Sequence, residues 1–330
     1  MLVDADLIAY RSAAVCEQRS VIVKHLKSGK VKEFPTRTDF KQFLKDKQFE
    51  YAVEDYDFTD LQEPMPVSHA LHVVKSQLET FKQRFKPEVF RVILSGKNNF
   101  RDVLPLPKKY KGNRVDSIRP LLLSDCKRYL VEQCKAEVVD NLEADDAVIF
   151  YGYEYERLGY DVIVATIDKD SKAYSGLSIW DFTHIDSEPE LIGDLGYLKD
   201  TEQGVKGTGF LWYCFQMLLG DTTDYYRPFE YFGIKYGEKS IYKYLSGCET
   251  KADALSRVIA KYKELLPDGF DYIDWQGVLH SNCDYKYWLN LYHQCVRMKE
   301  TRDGILDFEI YSKQIFDGDN LVRSRNTGRN

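Results

Sequence analysis

Four short stretches put carboxylates where a strand or helix should end. They are LVDAD at the start of the chain (Asp4, Asp6), LEADD (Glu143, Asp145, Asp146), TIDKD (Asp168, Asp170) and LLGDTTD (Asp221, Asp224). Spacings of two and three residues let such a pair converge on one point, at a strand end or over one helical turn. One pair alone is an ordinary cap or solvated end. All of them together would repel one another unless bound cations neutralised them. Hard oxygen ligands select Mg²⁺ or Mn²⁺. Two such ions roughly 4 Å apart suit the hydrolysis of phosphodiesters: one activates a water and both stabilise the in-line transition state.

A net charge of −6 argues at first against a phosphate-bearing partner. The average conceals a local excess, because residues 97–119 carry Lys97, Arg101, Lys108, Lys109, Lys111, Arg114 and Arg119 against only Asp102 and Asp116. With 330 residues, 44% of them hydrophobic, the chain can bury a sizeable core. The seven cysteines are an odd number with wide spacing, which suggests reduced thiols rather than a disulfide framework or a zinc knuckle. His69 and His72 could share a helix face, but no third ligand is near them. No apolar run reaches the roughly 20 residues of a membrane helix, and the first residues lack a signal peptide's pattern. A cytoplasmic protein is expected.

These residues must be held by an α/β framework. A short apolar strand opens the chain, VIVKHLKSGKVKEF reads as two strands about a Ser-Gly turn, and the acidic stretch near residues 54–60 reads as a solvated loop. Helical spacing covers residues 67–85, and FRVILSG follows as a buried strand. The basic segment reads as an exposed loop. Residues 120–134 are expected to be helical, AEVVD a short strand, and a second helix should run from about Glu143 to Leu158. YDVIVATIDKD is a strand of the parallel-sheet kind. From residue 205 the chain reads as mostly helical.

The order Asp4, FRDVLPLPKKYKGNR, LEADD, TIDKD, GDTTDYY and then FGIKYGEKSIYKYL resembles the phage-type 5′-to-3′ exonuclease and flap endonuclease family. The resemblance covers roughly residues 1–245. It implies a PIN-like domain over 1–225, with a central, mostly parallel sheet flanked by helices. Residues 226–330 would form a helical helix-turn-helix region and a helical C-terminal part. By the same resemblance, Asp4, Glu143, Asp145 and Asp146 would hold a first metal, and Asp168, Asp170, Asp221 and Asp224 a second. Tyr110 would stack on an unpaired base, with Lys111 and Arg114 beside the scissile phosphate. Arg101, Lys108 and Lys109 would touch nucleic acid, as would the turn formed by Gly233, Lys235, Gly237 and Lys239. The activity implied is divalent-metal-dependent cleavage by a monomer, with two Mg²⁺ ions or Mn²⁺ in their place. Its partners would be duplex DNA with 5′ ends or flaps and, more widely, RNA–DNA hybrids. A monovalent cation at the helix-turn-helix belongs to the same expectation.

The chain departs from the family at three places. VILSGK ends in Ser95 and Gly96 where the family commonly has another aspartate, so the first metal would rely on Asp6 or water. YYRPFEY follows the last aspartate where Asn and Pro/Gly-rich residues are usual. The 28 residues between Arg114 and Glu143 leave room only for a short arch. Two rivals remain. In a haloacid-dehalogenase-type phosphatase, Asp4 and Asp6 would be nucleophile and acid, with Ser95 and Lys97 on the phosphate. The other is a catalytically impaired nucleic-acid-binding protein.

Overall fold

Three residues suffice for the first strand, β1 (Leu2–Asp4), because parallel neighbours on both edges bury it completely. The computed structural model describes residues 1–49, 52–115, 117–300 and 304–327, with side chains up to residue 318. Asp116 of the basic segment lies outside the described residues. After β1 come α1 (Ala5–Ala14), β2 (Glu17–His25), β3 (Val31–Phe34), α2 (Arg37–Asp46), β4 (Tyr56–Pro64), α3 (Val67–Phe85) and β5 (Arg91–Ser95). Next are α4 (Leu123–Glu132), β6 (Glu137–Val139), α5 (Ala144–Arg157), β7 (Ile163–Ala165), β8 (Ser178–Trp180) and β9 (Glu190–Leu191). The hairpin β10 (Tyr197–Thr201) and β11 (Gly204–Thr208) leads into α6 (Gly209–Leu219), α7 (Glu238–Leu245) and α8 (Lys251–Leu265). A second hairpin, β12 (Phe270–Ile273) and β13 (Leu279–Cys283), precedes α9 (Tyr285–Val296) and α10 (Phe308–Thr327).

The expected mixed α/β architecture is present: a six-stranded sheet in the order β6-β5-β1-β7-β8-β9, parallel except for the edge strand β9. The chain divides into two compact units. One comprises Met1–Ala5, Pro87–Ser117 and Glu137–Asn330, and the other Asp6–Lys86 and Ile118–Ala136. The C-terminal helices belong with the central sheet because they share its core, which runs from Leu2 and Ile93 through Tyr213 and Tyr262 to Trp288 and Tyr311. Tyr262 on α8, fully buried, satisfies its hydroxyl by donating to the Met217 carbonyl on α6 at 2.7 Å.

In the other unit the antiparallel sheet β3-β2-β4 packs Val21, Val23 and Phe34 against Phe40 and Leu44 of α2. Thr36 caps α2 by accepting from the Asp39 N–H at 3.1 Å. The acidic stretch expected as a loop forms β4 instead, paired with β2 along its whole length. It is an edge strand, so its carboxylates face water while Tyr56 and Phe58 pack inward, and that hides the strand signal in the sequence. The hairpin β12–β13 was likewise not expected in a region that read as helical. His69 and His72 are exposed on α3, and all seven cysteines are free. Among the described residues, no helix is long and apolar enough to cross a membrane.

The loop after α6 needs a glycine. Gly220 has φ +75° and ψ −172°, and a Cβ there would lie 2.4 Å from the Tyr226 carbonyl oxygen. That closeness lets Asp221 and Tyr226 exchange two backbone hydrogen bonds of 2.9 Å, which close the GDTTDY loop. Gly220→Ala should therefore cost about 1–3 kcal/mol through backbone strain, read as a lower urea midpoint at unchanged slope. An unchanged midpoint would show that the loop can close without the glycine.

Candidate metal and phosphate site

Parallel strands deliver their last residues to one edge. Asp4 ends β1 opposite Ile93 of β5, and Val3 pairs with Ala165 of β7, so Asp4, Ser95 and Thr166 leave adjacent strands on the same side. Open α/β sheets bind ligands at such an edge. Ser95 accepts from the Ala144 N–H at 2.8 Å and so fixes the start of α5. The space beside Gly96 belongs to another carboxylate: a Cβ there would meet Asp140 Oδ1 at 2.2 Å, and that oxygen accepts from the Lys97 N–H at 2.7 Å. Asp140, overlooked in the sequence because it follows an undistinguished strand, is thus the acidic group brought to Ser95–Gly96. Asp6 instead forms an ion pair of 2.5 Å with Lys127.

At the start of α5, carboxylate oxygens of Glu143, Asp145 and Asp146 all lie within 4.8 Å of one another. Burial, with Glu143 and Asp146 adding like charge, pushes the Asp145 carboxyl well above its usual range. Asp146 is fully buried and its oxygens are occupied. Oδ2 accepts from Arg101 Nη1 at 2.6 Å, and Oδ1 from Arg101 Nη2 at 2.9 Å and from the Lys299 N–H at 3.0 Å. Arg101 is 2% exposed, and Nη2 also donates to the Arg297 carbonyl at 2.8 Å. In this structure it ties α5 to the C-terminal chain rather than meeting solvent, whereas the sequence suggested a nucleic-acid contact.

The KYKGNR segment grips the GDTTD loop. Lys111, at φ +54°, donates its N–H to the Asp224 carbonyl at 2.9 Å, while its ammonium bonds to Glu143 and lies 3.8 Å from Asp224. Burial works against that charge, but Glu143 and Asp224 outweigh it and hold the Lys111 pKa up. Arg114 pairs with Asp224 at 2.6 Å, and Asn113 donates to the Thr222 carbonyl at 3.1 Å. Tyr110, expected to stack on a base, is 4% exposed. Its ring lies beside Tyr226, and its hydroxyl donates to Asp224 at 2.7 Å and approaches Glu143 at 3.2 Å. It braces two carboxylates and has no face free for a base. The chain just before this segment is tied to the β12–β13 hairpin: Tyr272 donates to the Pro105 carbonyl at 2.7 Å and Trp275 Nε1 to the Leu104 carbonyl at 3.1 Å.

Asp168 accepts from the Asp170 N–H at 2.8 Å, and burial raises both carboxyls, with Asp168 also raising that of Asp170. Asp170 further accepts from the side-chain amide of Gln216, a buried polar group in the apolar helix α6. Its isolation in FLWYCFQMLL was the signal available for it. Asp221 is also buried, yet its carboxyl is held below the usual range. The Lys169 ammonium at 2.8 Å outweighs the effect of burial, and Thr223 and Asp224 add their N–H groups. The GDTTD loop therefore lies among the other carboxylates, in electrostatic reach of Asp168, Asp170 and Lys111. Arg101, Lys111, Arg114 and Lys169 are too few to neutralise them all.

Lys108 and Lys109 are exposed on the same loop. Lys108 pairs with Glu230 at 3.0 Å, and Lys109 lies over the Trp275 ring at 5.0 Å. Gly233, Lys235 and Gly237 are exposed on the turn that leads into α7, and Lys239 is exposed in the first turn of that helix. A short 3₁₀ turn, Glu230–Phe232, precedes that turn in place of a first α-helix.

No protein-family model matches this chain, and no curated protein sequence matches it. Solved structures are similar to it at low identity. The T5 D15 protein co-crystallised with metal ions is 16% identical, with 60% of this chain and 72% of that one covered and a TM-score of 0.44. T5 5′-exonuclease with bound divalent zinc is 16% identical, with 68% and 78% covered and a TM-score of 0.45. A T5 5′-exonuclease point mutant is 15% identical, with 70% and 78% covered and a TM-score of 0.41.

Proposed function

We propose that the chain is a divalent-metal-dependent phosphodiesterase that cuts DNA from 5′ ends and at flaps, with RNA–DNA hybrids as further substrates. The observation that carries this reading is the interlocking of KYKGNR with the carboxylates: cations that could meet a phosphate stand among acids that could hold metal ions. The donor set fits a hard cation, since it consists of crowded carboxylate oxygens, several of them desolvated. Asp4, Glu143, Asp145, Asp168, Asp170 and Asp224 would hold the ions. Asp146 and Asp221 would act from behind, because Arg101 and Lys169 already occupy them. Two Mg²⁺ ions, or Mn²⁺, would supply an activated water and charge stabilisation at phosphorus.

The chain's own groups have separable tasks. Lys111 and Arg114 turn from Glu143 and Asp224 toward the phosphate. Tyr110 keeps Asp224 and Glu143 oriented. Lys108, Lys109, Lys235 and Lys239 offer exposed charge to the duplex backbone, each contributing about one counterion to the salt dependence. A monovalent cation near the Gly233 turn and a monomeric state complete the proposal.

The deciding experiment digests end-labelled duplex, flap and hybrid substrates with and without Mg²⁺, with p-nitrophenyl phosphate alongside. Mg²⁺-dependent cutting of DNA is expected. Hydrolysis of p-nitrophenyl phosphate alone would favour a phosphatase, and binding without cutting an impaired enzyme. A sharper prediction concerns Lys111. Its charge matters most where the phosphoryl oxygens gain charge, so Lys111→Ala should lower the single-turnover rate at saturating enzyme by about a hundredfold. A wild-type saturated rate with weaker binding would reduce Lys111 to an ordinary phosphate contact.

A further inference from the structure

Gln216 is the one amide side chain of α6, a helix in which every residue from Gly209 to Leu218 is buried and the others are aliphatic, aromatic, glycine or cysteine. It is 3% exposed. Its main chain and its side chain serve different loops. The carbonyl accepts from the Gly220 N–H at 2.8 Å, where α6 passes into GDTTD. The side-chain nitrogen donates to Asp170 Oδ1, in the 3₁₀ turn Lys169–Ala173 that follows Asp168. One residue thereby ties together the two loops that bear Asp168, Asp170, Asp221 and Asp224.

The side chain has a second polar atom, and it is unused. Gln216 Oε1 is buried and accepts no hydrogen bond among the described residues. The two ends of the amide are not interchangeable here, because only the nitrogen can donate to a carboxylate. A buried acceptor without a donor is unfavourable, and such a group in a native protein calls for a specific reason. This oxygen stands one amide group beyond Asp170, so a ligand of that carboxylate is placed to bring the missing donor. A hard cation does so: Mg²⁺ gives up its hydration reluctantly and keeps several waters, each able to donate a hydrogen bond.

We propose that Gln216 is a positioning residue for the ion at Asp170: its nitrogen orients the carboxylate, and its oxygen accepts from a water that the ion retains. The inference rests on the reading of Asp170 as a metal ligand, and its test needs no DNA. Mn²⁺ alone is titrated into the full chain by calorimetry, and urea unfolding is followed in EDTA. The proteins are the wild type, Gln216→Met, Gln216→Leu, Gln216→Glu and Trp212→Phe. Trp212 lies one turn earlier on α6, and its buried indole N–H likewise has no partner among the described residues.

Gln216→Met and Gln216→Leu should bind one Mn²⁺ about ten- to a hundredfold more weakly, the usual effect of removing a group that supports a metal ligand. Gln216→Glu keeps an oxygen in place in either protonation state and should bind within a few-fold of the wild type or more tightly. Trp212→Phe should bind as the wild type does. Wild-type affinity in both apolar variants, whatever their urea midpoints, would reduce Gln216 to a packing residue and leave the metal reading intact. Loss in Gln216→Glu equal to that in Gln216→Met would overturn the role of the oxygen. An equal loss in Trp212→Phe would do the same, by showing that the oxygen's partner is a water trapped against the indole. A wild type that takes up no Mn²⁺ would overturn the metal reading itself.

Discussion

Asp145→Asn and Asp168→Asn should each lower the cleavage rate in Mg²⁺ by about a thousandfold or more, equivalent to roughly 4 kcal/mol of transition-state stabilisation. Neither change should unfold the site. Asp145 accepts from the Asp146 N–H at 2.6 Å and Asp168 from the Asp170 N–H at 2.8 Å, and an asparagine oxygen accepts equally well. What is lost is negative charge among groups that crowd one another already. In EDTA each variant should therefore bind DNA as tightly as the wild type or more tightly, since an unneutralised carboxylate repels phosphate. The measurements are single-turnover cleavage in Mg²⁺ and equilibrium binding in EDTA. Turnover within a few-fold of wild type in both variants would remove the two-metal proposal.

Arg101→Ala should destabilise the fold by about 3–5 kcal/mol, the usual cost of leaving one partner of a buried ion pair behind. Asp146 would keep only its backbone donors, from Lys299 and Glu143, and the Cys295 and Arg297 carbonyls would lose their donor. Arg101→Lys should recover little of this, because one ammonium cannot reach the acceptors that the guanidinium fork serves together. The double variant Arg101→Met with Asp146→Leu should be markedly more stable than Arg101→Ala, since it removes both charges. Urea unfolding of the four proteins tests this. If Arg101→Ala unfolds at the wild-type midpoint but binds DNA with a shallower salt dependence, Arg101 is a phosphate contact, as the sequence alone suggested.

Arg101 and Tyr110 mark the boundary of what the sequence determined. The sequence by itself set the local features: strands running into acids at Asp4 and Asp168, a helix opening on Glu143–Asp146, a basic loop, and the parallel α/β sheet that brings strand ends to one edge. These follow from apolar periodicity and from chain neighbours a few residues apart, which one linear pattern contains. Tertiary structure decided which way each charged or aromatic side chain points. Arg101 and Lys108 look alike in FRDVLPLPKK, but one meets Asp146, 45 positions away, while the other stays exposed. Tyr110, which the resemblance would set against a base, is turned inward, because Asp224 and Glu143 capture its hydroxyl from distant segments. The C-terminal hairpin and helices share the sheet's core for the same reason: burial is a sum over contacts between residues far apart in the chain, and no local pattern encodes that sum.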